Sequence, residues 1–231
     1  MRCELIAELA TNHGGDLGLA EAMIRAAAGA GADWVKTQAY QVKHLNPSAP
    51  QYDWLKQSAL GGDDHYRLRN VARDCGVQYL TTVFHPNDAS RLLSGFALKV
   101  GHAECQALWV RAAKAQFRFI TYPWTADWNN AKQTTSLVTI PLYPAPPEAF
   151  AALTVNNQTG YSDHSLGLDL CKIAIAQGAP VVEKHFSLPG QGRNQDWDMT
   201  PEMLQELRAW AETCAVALDG TRHQGRWQYK G

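Results

Sequence analysis

Long apolar runs are missing from this sequence. None approaches the ~18 consecutive residues of a membrane-crossing helix, so no such helix is expected. Clusters of one charge are missing too. Lys and Arg are scattered and nearly balanced by Asp and Glu, with a net charge of −1. That leaves no basic surface for a nucleic acid. The five cysteines, at 3, 75, 105, 171 and 214, contain no C-x-x-C pair, and their odd number argues against a disulfide framework. The start, Cys3-Glu-Leu-Ile-Ala, shows no signal-peptide pattern. A reducing cytoplasm is the expected setting. Internal repeats, low-complexity tracts and Pro/Gly/Ser-rich linkers are all absent. What remains is an ordinary globular composition, 45% apolar and 19% charged over 231 residues. One domain over 1–231 is expected.

Short apolar runs alternate with helical patterns throughout. The runs predict strands at Leu5–Ala10, Trp34–Gln38, Gln78–Thr82, Ala97–Val100, Phe117–Thr121, Leu137–Ile140, Thr159–Tyr161 and Val181–His185. Helices are predicted at Leu17–Ala30, Asp63–Cys75, Asn87–Leu93, Gln106–Ala115, Pro147–Leu153, Leu166–Gln177 and Pro201–Leu218. Gly31, Gly76 and Gly178 each follow a helix, and Thr200-Pro201 opens the last one. Eight strand–helix units predict a compact (β/α)8 TIM barrel. Only Thr125–Ser136 separates strands five and six, so one outer helix there should be short or missing. Tyr40–Gly62 reads as a long loop with three aromatics and two prolines.

Two histidines carry most of the functional information. His164 and His185 each end a strand, and a helix lies between those strands. Parallel neighbours with a helical crossover bring such ends side by side. Two neutral imidazoles there can share one metal ion. The competing explanation is two unrelated polar residues in loops.

Other polar residues also gather at or just after strands. They include Glu8, Lys36, Gln38, Thr82, Lys99, His102, Tyr143, Ser162 and Glu183. In a barrel they converge on the mouth at the C-terminal ends of the strands, where active sites sit. Lys36 and Lys99 are costly to bury in a barrel wall without an anion. With hydroxyls from Thr82 and Ser162, they suggest a phosphate pocket. Structural ion pairs are the alternative.

Four stretches together resemble the sialic acid synthase family, the N-acetylneuraminate synthases and their legionaminic and pseudaminic acid relatives. They are Ile6-Ala-Glu-Leu-Ala-Thr-Asn-His-Gly-Gly-Asp16, Gly31-Ala-Asp-Trp-Val-Lys-Thr-Gln38, Tyr161-Ser-Asp-His-Ser-Leu-Gly167 and Val182-Glu-Lys-His-Phe-Ser-Leu188. Their order and approximate spacing match over nearly the whole chain. The resemblance implies a (β/α)8 barrel that condenses phosphoenolpyruvate with an aldehyde sugar or amino sugar and releases phosphate. It implies a divalent metal, usually manganese, with magnesium or cobalt as alternatives, held by His164 and His185. It implies Lys36, Thr82, Lys99 and Ser162 around phosphoenolpyruvate and Glu8 near the reacting centre. Gln38, Tyr143, Glu183 and Asp196 match positions lining the acceptor.

The departures fall near the implied phosphate pocket. His102 stands where the family has a serine and is expected to donate in its place. Thr121-Tyr-Pro-Trp124 replaces Ser-Thr-Gly-Met, and Pro141 replaces an asparagine. The family also carries a C-terminal antifreeze-like domain that lends an arginine to the partner subunit. The sequence here stops at Gly231. A barrel without that domain is expected, as a homodimer or with the domain on a separate chain. Two alternatives stand beside the synthase: another metal-dependent barrel lyase or aldolase acting on an oxo-acid, and a catalytically silent binding homologue.

Overall fold

The computed structural model describes residues 2–92, 95–107, 110, 117–123 and 134–218. Eight parallel strands close into one barrel in sequence order. They are β1 Glu4–Ala10, β2 Trp34–Ala39, β3 Gln78–Val83, β4 Ala97–Val100, β5 Phe119–Pro123, β6 Thr135–Thr139, β7 Thr159–Asp163 and β8 Val181–His185. β1 pairs with β8 as well as β2, with Glu8 opposite His185 on one side and Lys36 on the other. The expected strand order holds. Strands five and six are displaced by about two residues from their sequence-based bounds.

Period-two alternation explains the barrel interior. One cluster, Ile6, Trp34, Leu80, Phe119, Leu137 and Val181, forms an apolar floor. Two residues further along the same strands stand Glu8, Lys36, Thr82, Thr121, Thr139 and Glu183, all buried. The polar layer therefore sits directly on the apolar one. Gly160 takes the floor position of β7. A Cβ there would lie 2.6 Å from the Val181 carbonyl oxygen, so the floor has no room for a side chain.

The outward residues of the strands pack against helices. α1, Leu17–Gly29, buries Ala20, Met23, Ile24 and Ala27, the three-and-four spacing of one helical face. Asp16 caps it by accepting from the Leu19 N–H at 3.0 Å. α2 is Tyr52–Gln57, α3 Gly62–Asp74, α4 Pro86–Leu92, α5 Asp169–Ala176 and α6 Pro201–Ala217. Thr200 caps α6, and Pro201 sits in its first turn, where no N–H is needed.

Three local expectations change. Tyr40–Gly62 is not structureless: it holds a 3-10 turn at Val42–His44 and the helix α2. Pro147–Ala152 winds as a 3-10 helix rather than an α-helix. The helix predicted from Leu166 begins at Asp169. Most of the Gln106–Ala115 helix and the short segment between β5 and β6 lie outside the described residues.

Candidate active site

The polar layer is a charge-balanced cluster. Glu183 Oε1 accepts from Lys99 Nζ at 2.5 Å and Ser162 Oγ at 2.9 Å. Lys36 Nζ lies 3.0 Å from the same oxygen and also pairs with Glu8 Oε2. Glu8 Oε1 accepts the Ala10 N–H at 2.7 Å. Ala10 has a φ of 47°, a left-handed turn at the point where the β1–β2 register shifts. Two ammoniums thus meet two carboxylates, and all four side chains are buried.

Their environments push these groups apart. Burial raises the Glu8 carboxyl above its ordinary range, with Lys36 opposing and Glu183 adding to the rise. Burial would raise Glu183 too, but Lys36 and Lys99 outweigh it and hold that carboxyl low. Burial lowers Lys99 to about 7, against Glu183 and with help from Lys36. Burial also works against Lys36, yet Glu183 and Glu8 together hold its ammonium high. The two lysines, alike in sequence, differ because one has two carboxylate partners and the other has one.

The histidines stand above this layer. Their ring centroids are 5.6 Å apart. His164 Nδ1 donates to the Ile140 carbonyl at 3.0 Å, which leaves Nε2 with a free lone pair. Burial lowers His164 to about 4 and His185 well below the usual range, the latter with help from His164, so both stay neutral. Tyr143 lies over His164 at 4.1 Å between centroids and faces His185 at 6.1 Å.

Two chambers open at the mouth. The inner one, about 120 Å³, is lined by the charge cluster together with Thr82, Thr121, His102 and His164. The outer one, about 440 Å³, is lined by Asn12, Gln51, Leu55, Arg193, Gln195 and Trp197. Gln38, Tyr143 and His185 line both and form the seam. The outer wall depends on a close approach at Gly192. It has a φ of 61°, a Cβ there would lie 2.1 Å from the Asn12 carbonyl oxygen, and the next N–H, of Arg193, donates to that oxygen at 2.8 Å.

The NeuB family model matches residues 23–118 and 129–223. The chain belongs to the NeuB family. It is 28% identical to an N,N'-diacetyllegionaminic acid synthase of Legionella pneumophila, covering 90% of this chain and 70% of that one. It is 29% identical to the protein of the same name from Campylobacter jejuni, covering 98% and 80%. The solved N-acetylneuraminic acid synthetase of Leptospira borgpetersenii shares the fold, with a TM-score of 0.83 at 23% identity over 99% of this chain and 88% of that one.

In this NeuB-family chain, eleven of the twelve sequence-predicted site residues line the inner chamber: Glu8, Lys36, Gln38, Thr82, Lys99, His102, Tyr143, Ser162, His164, Glu183 and His185. Glu183 lies between the lysines rather than toward the outer chamber. Asp196 is exposed and lines neither chamber. Two residues on, Asp198 is buried and puts Oδ1 4.0 Å from His185 Nδ1. Sequence reasoning missed Asp198, Arg193 and Trp197. Thr121, which the sequence placed near the implied phosphate pocket, lines the inner chamber. Nothing local distinguishes Asp198 from Asp196.

Proposed function

We propose that this chain is a transferase that joins phosphoenolpyruvate to an aldehyde sugar and releases phosphate. The observation that carries the proposal is the two-chambered mouth: a small inner chamber lined by both lysines and by the hydroxyls of Thr82, Thr121 and Ser162, a wider outer one, and His185 and Tyr143 on the seam. A small anion fits the first and a polyhydroxylated aldehyde the second. The names of the relatives, synthases of legionaminic acid, support the same substrate class.

The residues present fit a divalent ion. His164 and His185 would hold it through neutral imidazoles. Buried Asp198 Oδ1 and Glu183 Oε2 have no hydrogen-bond partner, as expected of acceptors near a cation. When bound, the ion supplies Lewis acidity to the aldehyde oxygen. Manganese is the ion we propose. Lys36 and Lys99 offset the charge of phosphoenolpyruvate. The unpartnered hydroxyls of Thr82 and Thr121 supply donors beside them. Glu8, raised by burial, is a stronger base than a free carboxylate and takes the proton of an attacking water. The methylene carbon bonds to the aldehyde carbon, whose oxygen gains a proton. Water adds at the enol carbon, and phosphate leaves by C–O cleavage. The product is a 2-keto-3-deoxy acid.

We further propose that the chain works in the cytoplasm as one barrel domain over 1–231. A second copy of the chain completes the acceptor side. The deciding experiment offers phosphoenolpyruvate, manganese and a panel of aldehyde sugars, including N-acetylmannosamine, and measures phosphate. Aldehyde-dependent phosphate release is expected. No release with any aldehyde overturns the proposal.

A further inference from the structure

A second group of ligand-type side chains lies apart from both chambers. Among the described residues one trio of His, Cys, Asp or Glu brings a donor atom from each member within 4.8 Å of the others: His44, His85 and Asp88. His44 closes the 3-10 turn after β2, His85 follows β3, and Asp88 lies in the first turn of α4. None of the three lines the inner or the outer chamber.

Two atoms of the trio, His44 Nδ1 and Asp88 Oδ2, are buried and make no hydrogen bond. They stand 3.5 Å apart. Asp88 is only 4% exposed. Leaving such groups bare costs about 1–3 kcal/mol each. The other oxygen, Oδ1, accepts from Gln41 Nε2 at 2.6 Å, which fixes the carboxylate plane and turns Oδ2 toward the histidines. The His44 and His85 rings stack at 3.9 Å, 27° from parallel. In a tetrahedral site with bonds of about 2.0–2.2 Å, neighbouring donor atoms sit roughly 3.3–3.6 Å apart. The His44–Asp88 spacing matches an edge of that tetrahedron.

We propose that His44, His85 and Asp88 form a second metal site, separate from the mouth, for a divalent ion of the zinc type. Two imidazoles and one carboxylate favour such an ion over magnesium or calcium, which take oxygen ligands. The Gln41 amide is the supporting partner of the carboxylate. The ion ties the turn after β2 to the start of α4. That turn leads into the segment carrying α2, and Leu55 of α2, with Gln51 just before it, walls the outer chamber. The site is therefore a clip that fixes one side of the mouth from behind.

Zinc is the probe. Metal-free protein is saturated with Zn2+, freed of excess by gel filtration and assayed for bound zinc, and Co2+ absorption reports the coordination. Asp88→Asn should carry one equivalent less than the unsubstituted chain, whatever the mouth binds. Its Zn2+-dependent rise in melting temperature should also be smaller. His44→Ala should weaken the same site at least about tenfold. The double variant His164→Ala/His185→Ala should keep the site, which separates it from any ion at the mouth. Equal zinc content in Asp88→Asn and the unsubstituted chain overturns the proposal and leaves a plain His44–Asp88 ion pair. So does an unsubstituted chain that binds no zinc.

Discussion

Lys184 Nζ lies 2.6 Å from Asp163 Oδ2, and neither side chain has any exposed surface. The pair joins β7 to β8 on the outer face of the barrel, and each residue immediately precedes a candidate metal ligand. Asp163 also accepts from Tyr161 Oη and the Ser165 N–H, and Lys184 also donates to the Ser165 carbonyl. The strand ends that present His164 and His185 are thus locked from behind.

Breaking that pair should be costly. Asp163→Asn leaves a buried ammonium without its counterion and should destabilise the fold by about 3–5 kcal/mol. Burial alone would raise the Asp163 carboxyl, but Lys184 outweighs it and holds it low. A carboxyl lowered in the fold stabilises it fully above the ordinary aspartate value of about 3.9, and this is lost as pH falls further. Thermal unfolding from pH 7 to 3 should show a drop below about pH 4 that is smaller in Asp163→Asn. Equal profiles for both proteins would disprove it.

The inner chamber should bind phosphoenolpyruvate through both lysines. Lys36→Ala and Lys99→Ala should each weaken binding by about 2–4 kcal/mol, the scale of breaking a desolvated charge pair. Calorimetric titration checks this. Losses under about 0.5 kcal/mol for both would place the anion elsewhere.

The histidine prediction concerns metal dependence. His164→Ala or His185→Ala should abolish metal-dependent turnover and leave circular dichroism unchanged, because residues at the mouth of a barrel serve function more than stability. Chelator should silence the unsubstituted chain, and manganese should restore it. Full turnover in chelator contradicts the assignment.

Trp54 should act on the acceptor indirectly. Its Nε1 donates to Thr11 Oγ1 at 3.0 Å, and Arg193 lies over its ring at 5.4 Å. It lines neither chamber but holds α2 and Arg193 in place. Trp54→Ala should raise the acceptor KM about tenfold, equivalent to ~1.4 kcal/mol, with the phosphoenolpyruvate KM unchanged. An unchanged acceptor KM rules this out.

The barrel and its inner chamber were legible because both follow from alternation. Apolar runs mark the strands, and a polar residue two places beyond an apolar one marks the mouth, as with Ile6 and Glu8 or Trp34 and Lys36. Ion pairing of the lysines stood in the sequence only as an alternative, without its partners. Lys36 and Lys99 suggested an external anion, yet Glu8, the neighbour of Lys36 on β1, and Glu183, brought near by closure of the barrel, already neutralise them. Asp198 was hidden for a similar reason. Its burial depends on Asn12, 186 positions away, whose Nδ2 donates to Oδ2 at 3.0 Å. The helix α2 was obscured by the prolines and polar residues around it.

The pairing of β1 with β8 has a consequence for how the protein comes into being. Glu8 stands opposite His185 across that seam, so the reacting centre joins the first strand made to the last. Without β8 the sheet would lack Glu183 and His185 and would leave Glu8 of β1 on an open edge. Contacts that distant in sequence form slowly. The reacting centre is therefore complete only when the final strand closes the ring.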